Sequence, residues 1–284
     1  MKKTRIIAFI GLLFFSSLAP LTGADGRLEE MQLEELELQE EETDFKRWIL
    51  VPMFSYSVFN KGRESWQEES VELFYQFNRK FLVGAEIDIR QRPPSGTDVL
   101  YSAMASWYLW DFFEIHGGIR LCPNPNFSPT QSYNGGFQYQ VLPRVALLFD
   151  YDQMNFGGGD IEQLKPGLVF WFSDVTFITL RYARGWVFSD LTYNYYSSAL
   201  NLGGMPGGGR LILGFAYGTD PDIEFGTGDT SLSNAYIYTV FYNQPITRDL
   251  SVFAGAEYVY RLNDDNNGEL YQQLTPTVGL SWKF

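Results

Sequence analysis

Charged residues recur at alternate positions inside otherwise apolar stretches: Glu86, Asp88 and Arg90, then Glu114, His116 and Arg120, then Asp150 and Asp152, with Lys165 and Arg181 standing singly. On an extended chain a spacing of two puts side chains on one face, so each group would present acids and bases together. Such a face can pair its charges, line a wet passage or move protons. Nucleophilic catalysis would need a Ser or Cys within hydrogen-bond reach of a base. His116 is the one histidine of the chain, and Gly117 and Gly118 follow it, so no Ser shares its face two residues on. Ser102 and Ser132 could meet it only across strands. A lone His of this kind reads as a structural hydrogen-bonding residue, and the expectation is no enzyme.

Metal chemistry fares no better. One His and one Cys, Cys122, remove most transition-metal sites. Asp220, Asp222, Glu224 and Asp229 crowd the stretch Gly218–Asp229, which reads as a solvated loop long enough to fold inward rather than as a Ca²⁺ site. No metal and no cofactor is expected.

The elements that must carry these residues follow from period-two alternation. Phe81, Val83, Ala85, Ile87 and Ile89 make one face of "FLVGAEIDIR", against Leu82, Gly84, Glu86, Asp88 and Arg90. Phe113, Ile115, Gly117, Ile119 and Leu121 oppose Phe112, Glu114, His116, Gly118 and Arg120. The chain ends the same way: Val278, Leu280, Trp282 and Phe284 alternate with Thr277, Gly279, Ser281 and Lys283. These runs exceed the mean soluble strand of about 5–6 residues and suit tilted membrane strands of roughly 9–11. Aromatics make up 17% of the chain and gather near the segment ends, among them Trp48, Tyr75, Phe77, Trp107, Trp171, Phe172, Trp186, Trp282 and Phe284. Amphipathic rings favour a membrane interface.

Breaks fall at Asn78-Arg79, Asp111, Pro143, Asp174, Pro206 and Thr247, recurring about every 32 residues before lengthening. A second set lies between them. Fourteen strands result (12–16 bracket the count), an even number with both termini on one side. The expected fold is all-β: a transmembrane up-and-down antiparallel barrel of the Gram-negative cell envelope.

The start of the chain agrees. Lys2, Lys3 and Arg5 precede an apolar run from Ile6 to Leu18, followed by Thr22-Gly23-Ala24, which describes a cleavable signal peptide over residues 1–24. The run is too short for a membrane helix of about 20 residues. Residues 25–45 hold eight Glu and two Asp against one Arg, an acidic periplasmic tail or linker that could recruit a periplasmic protein. With a net charge of −13, nucleic acid is excluded as a partner. Residues 46–284 are the barrel.

The stretches "GGFQYQVLPRVALLFDYDQMNF", "LKPGLVFWFSDVTFITLRYARGW" and the terminal "TPTVGLSWKF" resemble the YaiO family of outer-membrane β-barrel proteins across roughly residues 46–284. The resemblance implies a barrel fold and an outer-membrane location; it implies no settled substrate. Some relatives carry helical repeats before the barrel, where this chain has only the acidic tail.

Two functions fit. In one, Glu86, Asp88, Arg90, Glu114, His116, Arg120, Asp150, Asp152, Lys165 and Arg181 line a narrow pore for small solutes. Its near-balanced acids and bases would make it weakly selective and porin-like. In the other, the same charges pair across the lumen, and the closed barrel anchors periplasmic components. The remaining partners are outer-membrane lipid and the barrel assembly machinery, for which Val278, Leu280, Trp282 and Phe284 would be the signal.

Overall fold

The computed structural model describes residues 48–188, 191–223, 230–262 and 268–284, with 220–223 and 230–232 described as backbone alone. Residues 1–24 and 25–45, expected to be a signal peptide and an acidic tail, lie outside the described residues, as do Glu224 and Asp229. Fourteen strands follow one another: β1 (Trp48–Phe59), β2 (Trp66–Asn78), β3 (Phe81–Arg92), β4 (Gly96–Trp110), β5 (Phe113–Leu121), β6 (Gln131–Leu142) and β7 (Val145–Phe156). The second half continues with β8 (Gly159–Trp171), β9 (Thr176–Val187), β10 (Leu191–Met205), β11 (Gly209–Ile223), β12 (Thr230–Pro245), β13 (Leu250–Leu262) and β14 (Glu269–Lys283). Each pairs antiparallel with its neighbours in sequence, and β1 pairs with β14, closing the sheet. Closure satisfies the backbone groups that an open sheet would leave at its edges, which is what crossing a bilayer by strands requires.

The burial pattern inverts that of a soluble protein. Ile87, Val71, Tyr101, Leu147, Leu213, Val240, Leu274 and Val278 face outward and exposed, while Glu72, Asp88, Arg120, Asp150, Lys165 and Glu257 are buried. Only an apolar solvent outside makes that arrangement stable, so the outer face is a lipid face. The alternation in "FLVGAEIDIR" has this physical basis.

Aromatic rings girdle the end that carries both termini. Trp48 packs on Tyr75 with centroids 4.6 Å apart, Tyr75 on Phe77 at 4.7 Å, Phe77 on Phe81 at 5.3 Å and Phe81 on Trp107 at 6.2 Å. Trp282 and Phe284 extend the belt at 5.2 Å. Trp171, expected in this girdle, instead turns inward and packs against the buried core.

Two further features depart from expectation. The first half of the stretch 218–229 is strand rather than loop: Gly218 to Ile223 pair with Ala235 to Thr230, because lengthening an existing hairpin satisfies backbone groups that an inward loop would have to bury. Asp220 and Asp222 therefore sit on β11. The closing seam is also not uniform. Pairing of β1 with β14 skips Val51 and Pro52 opposite Ser281 and Leu280, and skips Tyr56 and Ser57 opposite Pro276 and Thr275. A proline lies in each gap, and proline has no N–H to give a ladder. Hydroxyls stitch the seam from inside, Ser55 to Thr277 and Ser57 to Thr275, each at 2.8 Å.

Candidate functional site

Three stacked layers fill the lumen. At the terminus end, Ile49 and Val51 of β1, Phe74 of β2, Leu82 of β3, Met104 and Tyr108 of β4, Ala146 of β7, Ile212 of β11, Phe241 of β12 and Phe253 of β13 form one apolar cluster. Trp171 of β8 packs against it, and β7 and β8 stand across the barrel from β1 and β14, so the cluster spans the lumen. Glycine makes room for three of its rings, Phe74 lying on Gly84 of β3. Phe241 lies on Gly255 of the next strand and Phe253 on Gly279, each where a Cβ would collide with the ring. Flattened rings over wall glycines are a device for pinning register in barrels.

Above the cluster lies the charged layer, and the ten pore-lining candidates named from the sequence all face the lumen. Arg120 on β5 reaches Glu86 on β3 at 2.9 Å; Ser102 of β4 sits between them, donating to Glu86 at 2.8 Å and accepting from Arg120 at 3.0 Å. Arg90 meets Asp88 at 2.6 Å on the same strand. On the other side, Asp150 accepts from Arg181 at 2.5 Å and pairs with His116 Nε2 at 2.8 Å, while Lys165 meets Asp152 at 2.5 Å. Ser106 donates to Glu114 at 2.5 Å. Of the two serines that could have met His116, Ser102 is committed to Glu86, and Ser132 stands opposite Arg120, four residues along β5; Ser106, directly across from His116, is committed to Glu114.

These charges are not merely inward. Arg90 and Arg120 are each 2% exposed and Arg261 is 1% exposed. A water-filled channel would leave its lining open to water, whereas here side chains fill the section. A small cavity remains, bordered by Met53, Ser55, Glu68, Ser70, Glu86, Asp88 and Thr277. Among the described residues no group of three His, Cys, Asp or Glu side chains is placed to hold a metal ion.

The third layer is at the opposite mouth, where residues 123–129 between β5 and β6 fold inward. Asp98, wholly buried on β4, accepts the backbone N–H groups of Asn126 at 2.6 Å, Phe127 at 3.1 Å and Ser128 at 2.7 Å, plus the Asn126 side-chain amide at 2.9 Å. Phe127 is buried, and the Arg92 guanidinium stands 4.8 Å from its ring and 4.3 Å from that of Trp66. Glu68 completes the group, meeting Arg92 at 3.1 Å. Sequence reasoning placed a turn at Asn124–Phe127 but missed its inward fold, and it missed the apolar layer. The signals were there: "CPNPNFSPT" carries a single ring in a polar stretch, and "WILV" is apolar on both faces of its strand.

No family model matches the chain, and no curated protein sequence matches it. Solved structures do. The CymD monoaromatic hydrocarbon channel superposes with a TM-score of 0.60 at 8% identity, over 84% of this chain and 89% of that one. A Pseudomonas aeruginosa FadL homologue gives 0.56 at 8% identity, over 84% and 90%. The Acinetobacter baumannii outer membrane protein Omp33 gives 0.50 at 12% identity, over 84% and 99%. At these identities the likeness is one of fold, and the fold is that of outer-membrane barrels.

Proposed function

We propose that this chain is an integral outer-membrane barrel whose lumen is closed in the conformation described, serving as an anchor rather than as a standing pore. The observation that carries this reading is the burial of Arg90 and Arg120 in the lumen between a spanning apolar cluster and the far mouth, with Arg261 buried near that mouth at the end of β13. Guanidinium groups in a through-channel would be hydrated; here they are held by carboxylates and hydroxyls. On this reading the end with both termini faces the periplasm, the signal peptide of residues 1–24 is removed, and the acidic tail of residues 25–45 is left to meet a periplasmic partner. Membership of the YaiO family, supported by the three stretches quoted above, fits an outer-membrane location without adding a substrate.

The second reading is a narrow pore lined by the charged layer. It draws support from the similarity to CymD, a monoaromatic hydrocarbon channel. Planar-bilayer recording of the refolded chain separates the two. The closed reading expects no steady conductance. A reproducible open level in the wild type would overturn it.

A further inference from the structure

Residues 123–129 fold over the mouth opposite the termini on the side of Arg92 and Asp98, while Cys122 and Thr130 at their base stay on the wall, the Cys122 N–H donating to Thr130 at 3.0 Å and the Thr130 N–H to Asn155 at 2.8 Å. The segment is built of Pro, Asn and Ser around a single ring, and Pro123 to Asn126 are exposed. Its main anchor is Asp98, which gathers three backbone N–H groups and one side-chain amide. The flanking strands do not depend on it: β4 to β5 and β5 to β6 keep their own ladders from Tyr101 to Gln131. Losing the anchor would free the loop and leave the wall intact. Beneath it lie Arg92, Glu68, Arg90 and Asp88, and beyond them the lumen ends at the apolar cluster.

We propose that residues 123–129 form a lid latched by Asp98, and that its release opens the polar lumen from that mouth alone, as a blind chamber rather than a passage. The loop swings as a unit because its anchors are local, and local openings of this kind draw on weakly held surface segments. The chain supplies its own reporter. Cys122, the one cysteine, continues the inward face of β5 and is 2% exposed. Burial pushes its thiol up from the ordinary value, so little thiolate is present while the lid is shut.

The test is the rate at which a bulky, membrane-impermeant maleimide modifies Cys122 in the purified full chain refolded in detergent micelles. The wild type should react far more slowly than the urea-unfolded chain. Asp98→Ala and Phe127→Ala should each react about tenfold faster or more than the wild type, the change expected when a charge-assisted hydrogen bond or a buried ring contact is lost. Heat-modifiable migration on gels checks that each barrel is folded, and Asp98→Asn, which keeps the shape of the side chain, gives an intermediate rate if the latch is electrostatic. Wild-type rates in all the folded variants would overturn the lid, as would a wild type that reacts as fast as the unfolded chain. The blind end is read separately: Asp98→Ala should stay electrically silent, and steady conductance in that variant over a silent wild type would overturn it. Conductance already present in the wild type would instead strike at the closed-barrel reading, leaving the labelling result to judge the lid.

Discussion

Arg120 and Glu86 belong to strands that never pair, β5 and β3, yet their side chains meet at 2.9 Å over Ser102 of the strand between them. The hydroxyl is both donor and acceptor, so three strands are tied by one inward group. This bridge lies in the buried part of the lumen, where a charge left without its partner has little water to turn to. Replacing Arg120 with Ala should therefore destabilise the folded barrel by about 3 kcal/mol, and the Glu86→Gln, Arg120→Gln double variant by clearly less. Midpoints of urea unfolding in micelles measure both. Equal losses in the single and double variants would show the lumen there to be wet.

The glycines under the rings make a steric prediction. Gly255→Ala would drive Phe241 off the wall, and Gly279→Ala would do the same to Phe253. Overpacking of this kind typically costs about 1–3 kcal/mol. Combining Gly255→Ala with Phe241→Ala should recover part of the loss, because the smaller side chain clears the space. Thermal unfolding of the three variants tests the pairing of ring and glycine, and no recovery would count against it.

Charge at outward positions is penalised according to depth in the bilayer. Ile87 and Ala254 face lipid, so Arg at either should destabilise the barrel by roughly 2–4 kcal/mol near the bilayer midplane. Moving the same residue to Thr192, an exposed position near the end of a strand, should be far milder, since the penalty falls toward the interface. Refolding yield into lipid vesicles compares them. A flat response with depth would refute the assigned lipid face.

At the chain's end, Phe284 exchanges backbone hydrogen bonds with Trp48, its N–H donating to the Trp48 carbonyl at 3.0 Å and its carbonyl accepting at 3.1 Å. Deleting Phe284 removes one backbone link of the closing seam and one ring of the girdle. Secretion should continue while folded, heat-modifiable protein in the outer membrane falls several-fold. Unchanged assembly would remove Phe284 from the signal proposed with Val278, Leu280 and Trp282.

The strands were legible from sequence because lipid enforces a simple rule on one face. Phe81, Val83, Ala85, Ile87 and Ile89 have to be apolar, and their alternation with Glu86, Asp88 and Arg90 shows through. The lumen obeys no such rule. Phe74, Leu82, Phe241 and Phe253 sit on the inward face, where an alternation template expects polarity, so the apolar layer looks like noise until the strands are placed around a ring. Partner choice is equally hidden. Asp88 meets Arg90 on its own strand, while Glu86 meets Arg120 two strands away; register and side-chain reach decide this, and neither is written in local spacing. The inward fold of the lid escaped notice because its anchor, Asp98, lies 28 to 30 residues before the amides it binds.

A hoop of fourteen staves yields first at its poorest joint, and in this barrel that joint is where the first and last strands meet. Thirteen junctions are tethered by a continuing backbone, so a broken ladder there can re-form at once. The β1–β14 junction has no such tether, and Pro52 and Pro276 each take a rung from it. What remains is paired strand on either side of two hydroxyl clasps, Ser55 with Thr277 and Ser57 with Thr275. Rupture under heat, denaturant or lateral tension in the bilayer should start there. A cylinder so made can be unrolled along one line without dismantling any hairpin, and the same line is where it would be sewn shut on insertion.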